Sequence, residues 1–208
     1  AYVTYRIWEN KRNRNFVNVF TSIANNTNTI KKISESLRQY NAEQDDIKEN
    51  LSGNQSQITR PSIRFEEGQS FTAIWAVRSL GIDPANGKEI FLTRDGDVTY
   101  EYSTKDQVVV GDYLPKFNGH FGLSTEFNNI GFYISMNYRL GGQIYNQTLV
   151  DKVENANIKY NVDARVYTDR WQQPCDIALY NAVIDLSYTR QTSRFVEDYN
   201  ILSLSSMS

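Results

Sequence analysis

The sequence is poor in the residues that build metal sites and covalent cross-links. Its 208 residues include one cysteine, Cys175, and one histidine, His120. A single cysteine excludes an intramolecular disulfide, and the two residues together cannot form a multi-cysteine zinc site or a Cys/His cluster. We therefore expect no metal and no other cofactor.

A strong net charge and long apolar runs are also missing. The 22 Lys and Arg residues nearly balance the 24 Asp and Glu residues, and the resulting charge of −2 argues against nucleic-acid binding. No stretch approaches the roughly 18 apolar residues of a membrane-spanning helix, and the first residues lack the apolar core of a signal peptide. With 14 tyrosines, abundant asparagine and only 4 prolines, the composition is typical of exported β-proteins.

The clearest pattern is a predicted hairpin over residues 120–141. Apolar side chains alternate with polar or small ones as far as Phe127, and again after a short Asn/Gly turn that begins at Asn128. Alternation with period two on both sides of such a turn predicts a β-hairpin. Each strand is about as long as a tilted strand that crosses a bilayer, roughly 9–11 residues.

Similar alternation near both ends predicts further strands, although Phe20 interrupts one of them on its polar side. Because Ala1 and Ser208 both fall inside strand patterns, and natural domains rarely leave unpaired edges, we expect the chain to be cut at both ends. Five strands are predicted in all, near residues 1–8, 15–26, 118–127, 131–141 and 198–208.

The connections between these strands differ greatly in length. Two are short, at 9–14 and 128–131, and alternate along the chain with two long ones, near 28–117 and 142–197. In an up-and-down antiparallel sheet, this order places the short turns at one end and the long loops at the other, as in outer-membrane barrels. It predicts that Lys11, Arg12 and Arg14 face the periplasm and that Trp75 and Trp171 lie outside the cell.

The first long connection contains a predicted short helix over 27–42. Thr27 or Asn28 can cap it, and apolar residues follow at helical spacing. Polar residues 43–61 predict a loop. Short strands are predicted at 71–77 and 89–101.

Seven short motifs lie in order along nearly the whole chain. They are Asn-Asn-Thr-Asn-Thr-Ile (25–30), Phe-Glu-Glu-Gly-Gln-Ser (65–70), Gly-Ile-Asp-Pro-Ala-Asn-Gly-Lys (81–88), Gly-Asp-Tyr-Leu-Pro-Lys (111–116), Gly-Gly-Gln-Ile-Tyr-Asn (141–146), Arg-Trp-Gln-Gln-Pro-Cys-Asp (170–176) and Thr-Ser-Arg-Phe-Val-Glu-Asp (192–198). In order and spacing they resemble the C-terminal part of the barrel of SusC/RagA-family TonB-dependent transporters. One departure is Cys175, which stands where the family usually has a glycine that is free to adopt positive φ.

The resemblance implies the architecture and the partners of a nutrient importer. It implies a transmembrane barrel of about 22 strands in the cell outer membrane, with an N-terminal plug that this chain lacks. It also implies a SusD-like surface lipoprotein, energy from TonB through the missing N-terminal part, and uptake of oligosaccharides or peptides. Residues 1–208 would form a partial barrel domain whose extracellular loops lie near 28–117 and 142–197.

Aromatic residues in the long connections are the candidate binding residues, since flat rings stack on sugars and anchor protein interfaces. They are Trp75, Tyr145, Trp171 and Tyr180. The sequence leaves three roles open for them, which are packing of the loops, contact with the lipoprotein and contact with the substrate.

In the barrel interpretation, one polar face of a strand would point into the lumen and line the path or hold the plug. Its residues are Tyr133, Ser135, Asn137 and Arg139. Turning Arg139 toward lipid near the midplane would cost about 2–4 kcal/mol.

No catalytic residues are predicted, so the chain is not expected to be an enzyme. Glu66 and Glu67 are adjacent, and in a strand they would point to opposite faces. Cys175 has no histidine near it in the sequence. Two other interpretations stay open: a soluble β-sandwich that binds carbohydrate or acts as an adhesin, and a glycoside hydrolase domain, for which no facing pair of carboxylates is evident.

Overall fold

The structure, a computed structural model, describes residues 1–10, 12, 14–51, 63–157, 159–182 and 191–208, with only the backbone for 44–51. The predicted periplasmic residue Lys11 and the end of the predicted loop, 52–61, lie outside the described residues. The chain divides into two compact units. The first contains Ala1–Asn28, Tyr113–Gln143 and Asp198–Ser208, and the second contains Thr29–Asp112 and Ile144–Glu197.

Most of the regular structure is β-strand, and the predicted all-β, antiparallel class is confirmed. The strands are β1 (Tyr2–Asn10), β2 (Asn15–Asn25), β3 (Ala73–Ile82), β4 (Glu89–Leu92), β5 (Val98–Thr99), β6 (Gln107–Asp112), β7 (Phe117–Phe127), β8 (Ile130–Tyr145) and β9 (Val196–Met207). The helices are α1 (Glu35–Leu51), α2 (Gln147–Leu149) and α3 (Arg165–Thr168), with a π-helical turn at Val150–Glu154 and 3₁₀ turns at Thr104–Asp106 and Ser193–Phe195.

The first unit is built on one five-stranded sheet in the order β1-β2-β7-β8-β9. The pairs β1–β2, β2–β7 and β7–β8 are antiparallel. On the other side of β8, Tyr133 and Ser208 exchange both backbone hydrogen bonds, at 2.8 and 2.9 Å. Within the described residues the sheet does not close on itself, so β1 and β9 are its edges.

A two-residue turn joins β7 to β8. Asn128 and Asn129 have φ of 48° and 65°, and Phe127 pairs with Ile130 across them. Positive φ at both central positions is characteristic of the type I′ turn, whose twist matches that of the two strands. Asparagine tolerates this conformation better than most residues. The amide of Asn128 also donates to Asn15 Oδ1, at 3.0 Å.

The sheet has one apolar and one polar face. Leu123 pairs with Val19 on one side and Ile134 on the other, so the alternating apolar residues of β2, β7 and β8 share a face. A register shift between Arg6 and Trp8 places Trp8 opposite Val17 on this apolar face, whereas simple alternation would have put it with the polar residues of β1.

Phe20 lies on the polar face, where it is buried against two neighbours. It pairs with Gly122, and a Cβ on that glycine would stand 2.4 Å from Phe20 Cζ. The Phe20 ring stacks on Tyr133 with centroids 5.5 Å apart and planes at 14°. The glycine thus makes room for the ring that interrupts the alternation.

The second unit contains a four-stranded sheet in the order β5-β4-β3-β6. β3, the end of β8 and the segments that follow β8 contribute the residues of its apolar core. One cluster of core residues contains Ile74, Tyr145, Val150, Val153, Val166, Tyr180 and Phe195, and Trp75 is buried as well. The segments on either side of β7 and β8 in the chain therefore share one core.

The predicted helix is displaced along the chain. α1 begins at Glu35 and not at residue 27, and it continues to Leu51, where a loop was predicted. Ile30 is held extended, because its backbone N–H donates to Gln69 O and its carbonyl accepts from Gly68 N, both at 2.9 Å. Ser34 then provides the N-cap: its Oγ accepts from Leu37 N at 3.4 Å, so Thr27 and Asn28 do not cap the helix.

Candidate functional site

Three of the four predicted loop aromatics are core residues of the second unit. Trp75, Tyr145 and Tyr180 are 2%, 4% and 6% exposed. Tyr145 packs edge-on against Phe195, at 6.1 Å between centroids, and its burial raises the pKa of its phenol. Burial likewise raises the pKa of Tyr180. Their placement favours packing among the three roles that the sequence left open.

Trp171, the fourth aromatic residue, is partly buried against a turn that lies far from it in sequence. Its indole Nε1–H donates to Pro84 O at 2.8 Å, and its ring covers Gly87. Gly87 has φ of +70°, and a Cβ there would stand 2.6 Å from the Trp171 ring. The motifs Gly-Ile-Asp-Pro-Ala-Asn-Gly-Lys and Arg-Trp-Gln-Gln-Pro-Cys-Asp therefore meet in the folded chain.

The turn at Asp83 is held by its own side chains. Asp83 accepts from Tyr100 Oη at 2.6 Å, from Asn86 Nδ2 at 2.9 Å and from the backbone N–H of Ala85 at 2.8 Å. The Tyr100 hydroxyl, followed by the Ala85 amide, lowers the pKa of the Asp83 carboxyl. Such Asp-based turns are structural features, and the carboxylate is already occupied.

Cys175 has a positive φ, a backbone conformation that normally favours glycine. Its φ is +80°, in the left-handed region, and its backbone N–H donates to Pro84 O at 2.9 Å. The thiol is exposed and unbonded to another cysteine. The loop keeps its shape although the side chain makes that shape unfavourable.

The strongest electrostatic feature of the second unit was missed at the sequence level. Arg194 forms ion pairs with Glu89 at 3.1 Å and Glu154 at 2.7 Å, and all three side chains are almost fully buried. Burial alone lowers the pKa of Arg194, but the charges and hydrogen bonds of the two carboxylates outweigh it and raise that pKa. The only signal in the sequence is the place of Arg194 in the motif Thr-Ser-Arg-Phe-Val-Glu-Asp.

A second buried arginine supports the same region. Arg170 donates to the carbonyl oxygens of Val153, Glu154 and Asn181. Burial lowers the pKa of Arg170, and the nearby positive charge of Arg194 adds to this effect, although the charge of Glu154 opposes it. Together the two arginines join β4, the π-helical turn and the segment around residue 180, which makes them structural rather than catalytic groups.

The four predicted lumen-facing residues share the polar face of the sheet in the first unit. Ser135 is buried opposite Gly122, and Tyr133 is stacked on Phe20. Asn137 and Arg139 are exposed, opposite His120 and Asn118. The structure thus places these side chains together on one surface; whether that surface lines a lumen remains a prediction.

The opposite face of this sheet is apolar and exposed. Its exposed large side chains range from 36% exposed for Phe132 to 75% for Ile130. The exposed members on β1, β2, β7 and β8 include Val3, Tyr5, Ile23, Phe117, Phe121, Phe127, Ile130, Phe132 and Leu140. A contiguous apolar surface of this kind marks a site of contact with lipid or protein.

Other kinds of site are not supported by the described part of the chain. No group of three or more His, Cys, Asp or Glu side chains that could hold a metal is found among those residues. No helix within the described ranges is both long and apolar enough to cross a membrane.

Comparison with known proteins gives a structural likeness only. No protein-family model and no curated protein matches the chain. Among the solved structures that match, three cover 99% of the chain. One is a structure of the RagAB peptide transporter, with a TM-score of 0.71 and 14% identity. Two are structures of the RagAB peptide importer: the "open-open" state has a TM-score of 0.73 and 14% identity, and the "closed-closed" state has a TM-score of 0.69 and 16% identity. The chain spans 21% of the length of each matched chain, and over that part it has the same fold.

Proposed function

We propose that this chain is part of a SusC/RagA-like outer-membrane nutrient importer. The exposed apolar face of the five-stranded sheet is the observation that carries the proposal. In water, such a surface would be unfavourable by about 25 cal/mol per Å², whereas it matches the hydrocarbon of a bilayer. The polar face, which holds Arg139, would then turn away from lipid.

The connectivity of the chain supports the same proposal. Both short connections lie between strands of the five-stranded sheet, whereas the two long ones supply the second unit, as Thr29–Asp112 and Ile144–Glu197. Long loops that fold together are what an importer would need at its extracellular side. We propose that the second unit is extracellular and that the turns at Arg12 and Asn128 face the periplasm.

The partners and cargo follow from the same proposal. The structural neighbours are transporters of peptides in RagAB complexes, and we propose uptake of peptides or oligosaccharides together with a SusD-like lipoprotein. TonB would supply the energy through an N-terminal part outside this chain, and no enzymatic step is involved. Trp171 is the one loop aromatic of the four that is not buried, so it is the candidate for contact with the lipoprotein or the substrate.

The soluble β-sandwich module is the alternative, and the exposed apolar face disfavours it. In a sandwich, the apolar faces of two sheets pack together about 10 Å apart and are buried. Here Val3, Phe121 and Leu140 remain at least 39% exposed. A carbohydrate-binding or adhesin module with this surface would expose it to water.

The test is to isolate the natural polypeptide from the outer-membrane fraction and to measure its mass and its heat-modifiability on a gel. We expect a polypeptide about five times as long as this chain, as in the matched structures, that needs detergent and migrates differently before and after boiling. A natural polypeptide near 208 residues that is soluble without detergent would overturn the proposal and favour the sandwich module.

A further inference from the structure

The proposed function assigns no ligand to a concave surface on the polar face of the five-stranded sheet. Tyr2, Ser22, His120 and Asn137 form one row across β1, β2, β7 and β8. The next row contains Ala24, Asn118 and Arg139. These two rows, which we call the polar cleft, contribute most of the lining of a depression of about 560 Å³. Small-molecule sites have volumes of roughly 300–1,000 Å³.

Arg139 brings a positive charge that the polar face does not neutralise. No ion pair of Arg139 is found among the described residues. Of the carboxylates on this face, Glu9 is already bound to Arg6 at 2.7 Å, and Asp198 on β9 accepts from Gln143 Nε2 at 3.3 Å. Glu126 lies eight positions along β7 from Asn118, the cross-strand partner of Arg139, which is about 26 Å away at roughly 3.3 Å per residue. The cleft is therefore complementary to an anion.

Hydrogen bonds and ring contacts hold His120, another polar group of the cleft, in place. His120 Nδ1 is 2.8 Å from Ser22 Oγ, and the Ser22 hydroxyl also accepts from the backbone N–H of His120 at 3.1 Å. The imidazole also lies near two aromatic rings, with centroids 5.8 Å from Tyr2 and 6.1 Å from Phe20. These contacts fix the ring, while the exposed amide of Asn137 lies two residues from Arg139 on the same strand face.

We propose that the polar cleft binds a small soluble molecule through its carboxylate. The guanidinium of Arg139 would donate two parallel hydrogen bonds to the carboxylate oxygens, a geometry that lysine cannot reproduce. The Asn137 amide would donate to the same group, and the Tyr2 ring would cover the apolar part of the ligand. The proposal concerns ligand binding only, so it does not depend on transport.

The test compares N-acetylalanine with N-acetylalaninamide, which differ only in the carboxylate. Each is titrated into the natural full-length protein in detergent, and binding is followed by ligand-observed NMR. We expect the acid to bind at least 10-fold more tightly than the amide, as for hydrogen bonds to a charged group worth about 1.5–3 kcal/mol. Arg139→Gln should remove this preference, and Arg139→Lys should retain only part of it.

Arg6→Gln is the matched control, because Arg6 lies on the same face but already binds Glu9 and Asn18. It should leave the preference for the acid unchanged. Equal affinity for acid and amide, an Arg139→Gln variant that still prefers the acid, or an equal loss in Arg6→Gln would each overturn the proposal. Heat-modifiability of every variant shows whether it is folded, and Arg139→Lys provides the test if Arg139→Gln is not. If the titrations show no preference for the acid, membrane insertion is still expected, and the proposed function is not affected.

Discussion

The guanidinium of Arg194 donates from Nε and Nη2 to both carboxylate oxygens of Glu89, at 3.2 and 3.1 Å, across 105 residues of sequence. Nη2 also reaches Glu154 Oε1 at 2.7 Å, and the guanidinium lies 4.7 Å from the centroid of the Phe195 ring. One side chain thus holds β4, the π-helical turn and the core of the second unit together.

Arg194→Met is expected to destabilise the second unit by about 3–5 kcal/mol, because two buried carboxylates would lose their positive partner. Urea denaturation followed by tryptophan fluorescence measures this, since Trp75 is a core residue of that unit. Arg165→Met is the matched control: it removes an arginine whose ion pair with Asp163 is exposed, and it should change the midpoint little. Equal midpoints for the two variants would contradict the structural role of Arg194.

Gly87→Ala should destabilise the second unit by about 1–3 kcal/mol more than Gly96→Ala. Both glycines have positive φ, so both substitutions strain the backbone. Only at Gly87 would the new Cβ meet the Trp171 ring, at 2.6 Å, whereas Gly96 has open space around it. The two unfolding midpoints are compared, together with the emission of Trp171. Similar losses at both positions would show that Trp171 does not rest on Gly87.

Cys175→Gly is expected to stabilise the loop by about 1 kcal/mol, because glycine adopts a φ of +80° without the steric cost of a Cβ. Because Cys175 is exposed, removing its thiol costs little buried area. Cys175→Ala is the control, since alanine keeps the Cβ and should leave stability unchanged. Thermal unfolding of both variants distinguishes these outcomes, and a gain in the alanine variant would assign the effect to the thiol instead.

Adjacent arginine substitutions on β7 test which face of the sheet meets lipid. Leu123→Arg would place a charge on the apolar face, at a cost of about 2–4 kcal/mol near the midplane, and should reduce the heat-modifiable protein in the outer membrane. Ser124→Arg places the same charge one residue away on the polar face and should be tolerated. The result is read from immunoblots of unboiled outer-membrane fractions. Equal accumulation of both variants would argue against lipid contact by the apolar face.

Local features were predictable where neighbouring residues alone decide the conformation. The alternation around Phe121 and Ile134 is enough to assign these side chains to one face, because strand geometry repeats every two residues. The turn at Asn128 follows from residues that tolerate positive φ. The start of α1 was mispredicted because Ile30 is held extended by a backbone segment near residue 69, far away in sequence.

The sequence by itself determined the all-β class, the division of the first sheet into an apolar and a polar face, and the absence of a cysteine pair, since these depend on composition and local periodicity. Only the tertiary structure decided that Trp75, Tyr145 and Tyr180 are buried, that Trp171 covers Gly87, and that Arg194 joins Glu89 to Glu154. Each of these depends on contacts between segments distant in sequence, whose meeting no local pattern specifies.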